Sequence, residues 1–213
     1  VVISGSELSP ALKARRKSPF HVMQKDEIDT VVWLVNGFQQ DCSAHDIDHS
    51  LRVFKLATLI GSKTEEPFDL KTVQLSALLH DVADHKFGHT DQDLRDRLIQ
   101  CCDAIGWDDV DTIYKIVTNV SFSKSGKPAS IEGKIVQDAD RIDAIGAIGI
   151  ARCFAYGGGA KRSIAEGIQH FDDKLFKLKD LLNTQPAKLL AEERHKYMKQ
   201  FIEKINNEMN GLE

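Results

Sequence analysis

Residues 70–89 read LKTVQLSALLHDVADHKFGH, a hydrophobic run that finishes in His80-Asp81. The pattern predicts a helix over about 70–81 that carries an imidazole and a carboxylate to the edge of a packed core. A carboxylate buried there without a cation would be costly. Taken alone, the dipeptide reads equally well as an exposed polar pair at a helix end, so the surrounding chain has to decide. From Asp26 onward that chain is helical in pattern, with further helices expected at about 26–40, 46–61, 91–104, 109–118, 131–141, 143–157, 161–182 and 187–209. Gly61, Gly106 and the run Gly157–Gly159 punctuate them, and Pro67, Pro128 and Pro186 fall in connections. VVWLV at 31–35 has the residue types of a strand but sits inside a longer helical pattern. No alternating runs joined by hairpin turns occur. The expected fold is all-α, a single-domain helical bundle over 25–213, with residues 1–24 as an N-terminal extension outside the core.

Composition bounds the chemistry. A chain of 213 residues, 42% hydrophobic and 28% charged, is ample for a substantial core and is neither disordered nor collagen-like. The formal net charge of −4 argues against a dedicated nucleic-acid binder, which carries a basic surplus. No apolar run approaches the roughly 20 residues of a membrane span. The N-terminal VVISGSELSPALKARRKSPF has no apolar core of a secretory signal. Four Cys, two of them the neighbours Cys101 and Cys102, do not make a disulfide framework, and a cytoplasmic setting is expected. Eight His beside 32 acidic residues are the raw material of a metal site.

Three segments could contribute to one. In CSAHDIDHSLRVFKLATLI, 42–60, His49 shares a helical stripe with Val53, Leu56 and Ile60. A lone His in that position is more often a core residue with a satisfied hydrogen bond, so its partners decide its role. In EGKIVQDADRIDAIGAIGIARCF, 132–154, Val136, Asp140, Asp143, Ala147 and Ile150 run along one face if a single helix continues through the stretch. Carboxylates do not lie on an inward stripe for stability alone. Either a basic partner or a metal neutralises them. Together His49, His80, Asp81 and Asp140 supply two imidazoles and two carboxylates, a donor set that suits Mn²⁺, Fe²⁺, Co²⁺, Ni²⁺ or Zn²⁺ better than Ca²⁺. A metal held by four such ligands keeps positions for water and substrate oxygen. The Gly run in YGGGAKRS, 156–163, follows no strand and supports no phosphate-binding fingerprint.

DIDHSLRV, ALLHDVADHK and IVQDADRIDAIGAIGIAR set out an H…HD…D pattern at His49, His80-Asp81 and Asp140. In this the chain resembles the HD-domain superfamily of metal-dependent phosphohydrolases. HDVADHKFG and HFDDKLFKLKDLLNTQPAKLLAEERHKYMKQF are similar to a bacterial-type branch of small, single-domain members, some of them Mn-dependent nucleoside-triphosphate pyrophosphohydrolases. The resemblance covers about residues 25–209 and implies an all-helical bundle. It makes His49, His80, Asp81 and Asp140 the ligands of one divalent metal, with Mn²⁺ favoured over Mg²⁺, Co²⁺, Ni²⁺, Fe²⁺ or Zn²⁺. Asp84 matches the acid that positions or activates the attacking water in related nucleotidases. His85 and Lys86 follow in the same motif as a proton donor or phosphate contacts. Dinuclear members need further His well downstream of the HD pair. Between Asp81 and Asp140 this chain has only His85 and His89, and Val120 stands where some relatives carry a His, so one metal is expected.

A polyphosphate also needs cations outside the metal shell. The expected substrate contacts are Arg52, Lys86, Arg141, and Ser121 and Lys124 of the polar loop NVSFSKSGKPAS, 119–130. Lys55, Lys127, Lys161 and Arg162 are further basic candidates. The resulting expectation is hydrolysis of a (deoxy)nucleoside triphosphate to monophosphate and pyrophosphate by a monomer or homodimer, with no nucleic-acid or membrane partner. A 5′-deoxynucleotidase and a guanosine-polyphosphate hydrolase are the alternative enzymes. A nucleotide-binding scaffold is the non-enzyme alternative.

Overall fold

The computed structural model describes residues 22–38, 47–83, 88–120 and 126–212. Among these residues the chain forms α1 (Lys25–Phe38), α2 (Ile47–Gly61), α3 (Leu70–Leu79), α4 (Asp91–Ala104), α5 (Val110–Val117), α6 (Ile131–Asp143), α7 (Gly146–Gly159), α8 (Ile164–Asp173), a 3₁₀ helix (Leu175–Leu181) and α9 (Gln185–Met209), with no strand. VVWLV lies within α1.

The centre of the bundle is α3, which is buried from Lys71 to Leu79 on every side. A helix enclosed on every side has no solvent face, so its few polar side chains need partners within the fold. Its first turn is closed by Asp69, whose side chain accepts from the Thr72 N–H at 2.6 Å. The buried Lys71 ammonium is paired with Glu27 and lies 5.5 Å from the Trp107 ring centre. On one side of α3 a core of Val31, Val35, Leu94, Leu98 and Ile113 joins α1, α4 and α5. On the other, Ile60, Ile135, Ile142, Phe171 and Met198 join α2, α6, α8 and α9.

Helices α2, α3 and α6 pack against one another. The N-termini of α3 and α6 are tied together by the Asp69 N–H donating to Glu132 Oε1 at 3.1 Å. Their C-terminal ends therefore come together at the opposite end, beside the N-terminal turn of α2. Two helix C-termini converging on one spot favour a positive charge there.

One expected helix is split, and the stripe that required a single helix through 136–150 is interrupted. The stripe from Val136 to Ile150 does not continue as one helix: α6 stops at Asp143 and α7 begins at Gly146, leaving Ala147 exposed. Gly146 has φ +79°, and a Cβ there would lie 2.9 Å from Cγ of Arg194. A Cβ on Gly149 would lie 2.3 Å from the Ala144 carbonyl oxygen. Side chains at those positions would block this tight junction. The expected helix 161–182 is also two elements, because Lys174 leaves helical geometry at φ −136°, ψ −58°. Its start falls at Ile164, where Ser163 and Glu166 form a reciprocal cap.

Candidate metal centre

His49 enters from the first turn of α2, His80 caps the C-terminus of α3 with Asp81 just beyond it, and Asp140 lies in the last turn of α6. His49 Nε2 and His80 Nε2 face each other at 3.2 Å. Asp81 Oδ2 is 3.4 Å from each of these nitrogens, and the His49, His80 and Asp81 donor atoms lie within 4.8 Å of one another. Asp140 Oδ1 closes the group at 3.5 Å from His49 Nε2 and 3.8 Å from His80 Nε2.

The hydrogen bonds on the far side of each ring fix what these atoms are. His80 Nδ1 is 2.8 Å from the Ala77 carbonyl oxygen, which can only accept, so Nδ1 carries the proton. His49 Nδ1 likewise donates to Asp143 Oδ2 at 2.8 Å. In the neutral rings both Nε2 atoms are then lone-pair acceptors, pointed at each other and at two carboxylates. Four acceptors with no donor among them repel unless a proton or a cation lies between. Electrostatics gives the same picture. Burial pulls the His49 imidazole down, yet the Asp140, Asp143 and Asp81 carboxylates push it up to about 11. His80 is also raised, the Asp81 carboxylate overcoming its burial. Asp140 is lowered, because the two imidazoles outweigh its desolvation. The donor chemistry fits a divalent transition metal, and ligands about 2.0–2.2 Å from such an ion at octahedral to tetrahedral angles lie roughly 2.8–3.6 Å apart.

Asp143 answers the question left open for the second inward carboxylate: its partners are basic. It is 1% exposed and accepts from His49, from Arg52 Nε at 2.8 Å and Nη2 at 3.2 Å, and from Arg152 Nη1 at 2.7 Å. These partners outweigh burial and hold its carboxyl down at about 2. Asp143 thus fixes the orientation of the His49 imidazole, as a carboxylate behind a metal-binding histidine does. Its place on the stripe three residues after Asp140 was the legible signal. Arg152 had none, because it sits on α7 beyond the break.

Arg52 stands at the edge of the cluster, its side chain 30% exposed. Arg141, expected among the substrate contacts, has a structural partner in the fold. Its guanidinium is buried and donates to the Leu181 carbonyl, tying α6 to the 3₁₀ helix. The neighbouring Asp138 is also structural, accepting from the backbone and side chains of Asn183 and Thr184 at 2.7–2.8 Å. Lys55, Lys127, Lys161 and Arg162 are exposed. Asp84, His85, Lys86, Ser121 and Lys124 lie outside the described residues. A cavity of about 660 Å³, lined by Lys63, Lys134, Pro186 and Leu190 among others, opens near the far ends of α2 and α6 and does not reach the cluster. No helix among the described residues is long and apolar enough to cross a membrane.

Residues 46–145, which span the whole cluster, match the model of the HD domain. Bacillus subtilis YpgQ is 40% identical over 202 residues, covering 89% of this chain and 96% of that protein. The chain belongs to the HD-domain family. A crystal structure of an HD-superfamily hydrolase from Bacillus thuringiensis is 36% identical with a TM-score of 0.70, covering 88% of this chain and 98% of that one. The crystal structure of YpgQ in complex with ADP matches with a TM-score of 0.70 at 34% identity, covering 88% of this chain and all of the other. The protein is an HD-superfamily hydrolase. Membership implies a bound divalent metal, and His49, His80 and Asp81 are placed close enough together that they could hold one.

Proposed function

We propose that this protein is a metal-dependent phosphohydrolase that cleaves (deoxy)nucleoside triphosphates between the α- and β-phosphates. The observation that carries the reading is the pair of Nε2 lone pairs at 3.2 Å, each ring held outward by a partner that can only accept. The ADP complex of YpgQ supports a nucleotide as the ligand class. The buried free thiols Cys101 and Cys102, both raised to about 12 by burial, suit a reducing cytoplasm and take no part in the chemistry.

His49, His80, Asp81 and Asp140 would hold the ion, Mn²⁺ by preference. When bound, it supplies Lewis acidity toward a phosphoryl oxygen and a water. The Ala77 carbonyl and Asp143 keep the two imidazoles in the required tautomer and orientation. Asp84 accepts a proton from the attacking water as its oxygen bonds to the α-phosphorus. The bond from that phosphorus to the bridging oxygen breaks, and pyrophosphate leaves with the electron pair. His85 returns a proton to the leaving group. Arg52 and Lys86, with Ser121 and Lys124 of the 119–130 loop, meet the charge that builds on the phosphates.

The test is a panel of ribo- and deoxyribonucleotides incubated with Mn²⁺, Mg²⁺, Co²⁺ or Ni²⁺ and followed by phosphorus NMR. Monophosphate and pyrophosphate are the expected products. Asp84→Ala should lower turnover by roughly 10²–10⁴ while leaving the metal bound. Orthophosphate as the released product would contradict the assignment of the bond.

A further inference from the structure

Behind His49 the molecule gathers more positive charge than its one buried carboxylate requires. Asp143 Oδ2 accepts from His49 Nδ1 and from Arg152 Nη1, while Arg52 grips both carboxylate oxygens. A third guanidinium, Arg194 on α9, donates to the carbonyl of Ile142 at 2.6 Å, one residue from Asp143. Two guanidiniums thus pair with a single carboxylate, and a third lies on the neighbouring backbone, in a protein whose net charge is −4. An ion pair needs one of them.

Arg152 is the member with capacity to spare. Among the described residues it makes one hydrogen bond, from Nη1, and its side chain is 34% exposed. A guanidinium carries five N–H donors in a planar fork suited to phosphate oxygens. Its anchor is shared with His49 at a single oxygen atom, which sets it just outside the ligand cluster. The α6–α7 junction at Gly146 makes this possible by turning the chain so that Arg152 comes back onto Asp143.

We infer that Arg152 is a specificity-determining residue that binds a phosphoryl group beyond the one at the metal, selecting polyphosphate over monophosphate ligands. The inference rests on the proposed phosphohydrolase reading. Asp143 is then a shared pivot that aims His49 at the metal and Arg152 at the adjoining phosphate.

The experiment is calorimetric titration of the Mn²⁺-loaded protein with inorganic tripolyphosphate and, separately, with orthophosphate, for wild type, Arg152→Ala and Arg152→Lys. Mn²⁺ affinity is measured on the same preparations. Arg152→Ala is expected to weaken tripolyphosphate binding about tenfold or more, the scale of a lost charge-assisted contact. Orthophosphate and Mn²⁺ affinities should stay within about threefold of wild type. Arg152→Lys, which keeps the charge but not the fork, should fall between the other two. Equal losses for both phosphates, or unchanged tripolyphosphate binding in Arg152→Ala, would overturn the inference alone. Wild-type protein that binds Mn²⁺ but no tripolyphosphate would overturn it together with the reading on which it rests.

Discussion

His49 works at both edges of its ring. Nδ1 is committed to Asp143, which stays ionised with its carboxyl near 2, and Nε2 faces the other ligands. Without metal, three carboxylates keep that ring protonated, raised from 6.5 to about 11. The sign of the pH dependence follows. Stability from the captured proton is fully present below about pH 6.5 and is lost as pH rises toward about 11. A metal must displace the same proton, so apparent metal affinity should rise with pH across that window. Calorimetric titration with Mn²⁺ at pH 7, in two buffers of different ionisation enthalpy, should show release of at least one proton per metal, since His80 is raised as well as His49. Heats that do not depend on the buffer would contradict the placement of that proton. At this scale much was legible in the sequence. The H…HD…D pattern picked out the four residues that the fold brings together, and an acid on an apolar stripe marked Asp143. The partner of Arg141 was not legible, because the Leu181 carbonyl that it meets lies 40 residues away in sequence.

At the scale of elements, the helices were legible where one periodicity had one interpretation. Caps and breaks were not. Phe171, Leu175, Leu178 and Leu182 are all buried, a spacing that a continuous α-helix satisfies as well as α8 followed by a 3₁₀ turn. Nothing in that pattern reveals the break at Lys174. The α6–α7 break is written in Gly146, but only the structure shows that both its φ and the stem of Arg194 require glycine. Two substitutions in the same helix should therefore move stability in opposite directions. Gly146→Ala is expected to destabilise the fold by about 1–3 kcal/mol. Gly158→Ala, with nothing within 4 Å of the added methyl and no left-handed backbone, should stabilise it by about 0.4–1 kcal/mol. Urea denaturation of the two variants checks both signs.

The whole molecule is organised by the buried helix α3, which separates two apolar cores and delivers His80 where the ends of α2 and α6 meet. The edge-of-core position of His80-Asp81 was foreseeable as one of two readings, since a hydrophobic run ending in His-Asp fits either a buried site or an exposed polar pair. The meeting of three distant segments was not foreseeable from periodicity, and it is this meeting that turns separate residues into a site. The mild acidity of the chain proved a weak guide. A protein of net charge −4 still places Arg52 and Arg152 on one carboxylate beside the cluster, with Arg194 on the adjoining backbone carbonyl. The most direct test of the account is the metal content, after Mn²⁺ loading and exhaustive dialysis, of wild type and of Asp81→Ala. One metal per chain in the wild type and its loss from the variant are predicted. A wild type that retains no metal, or an Asp81→Ala variant that retains as much as wild type, would contradict it.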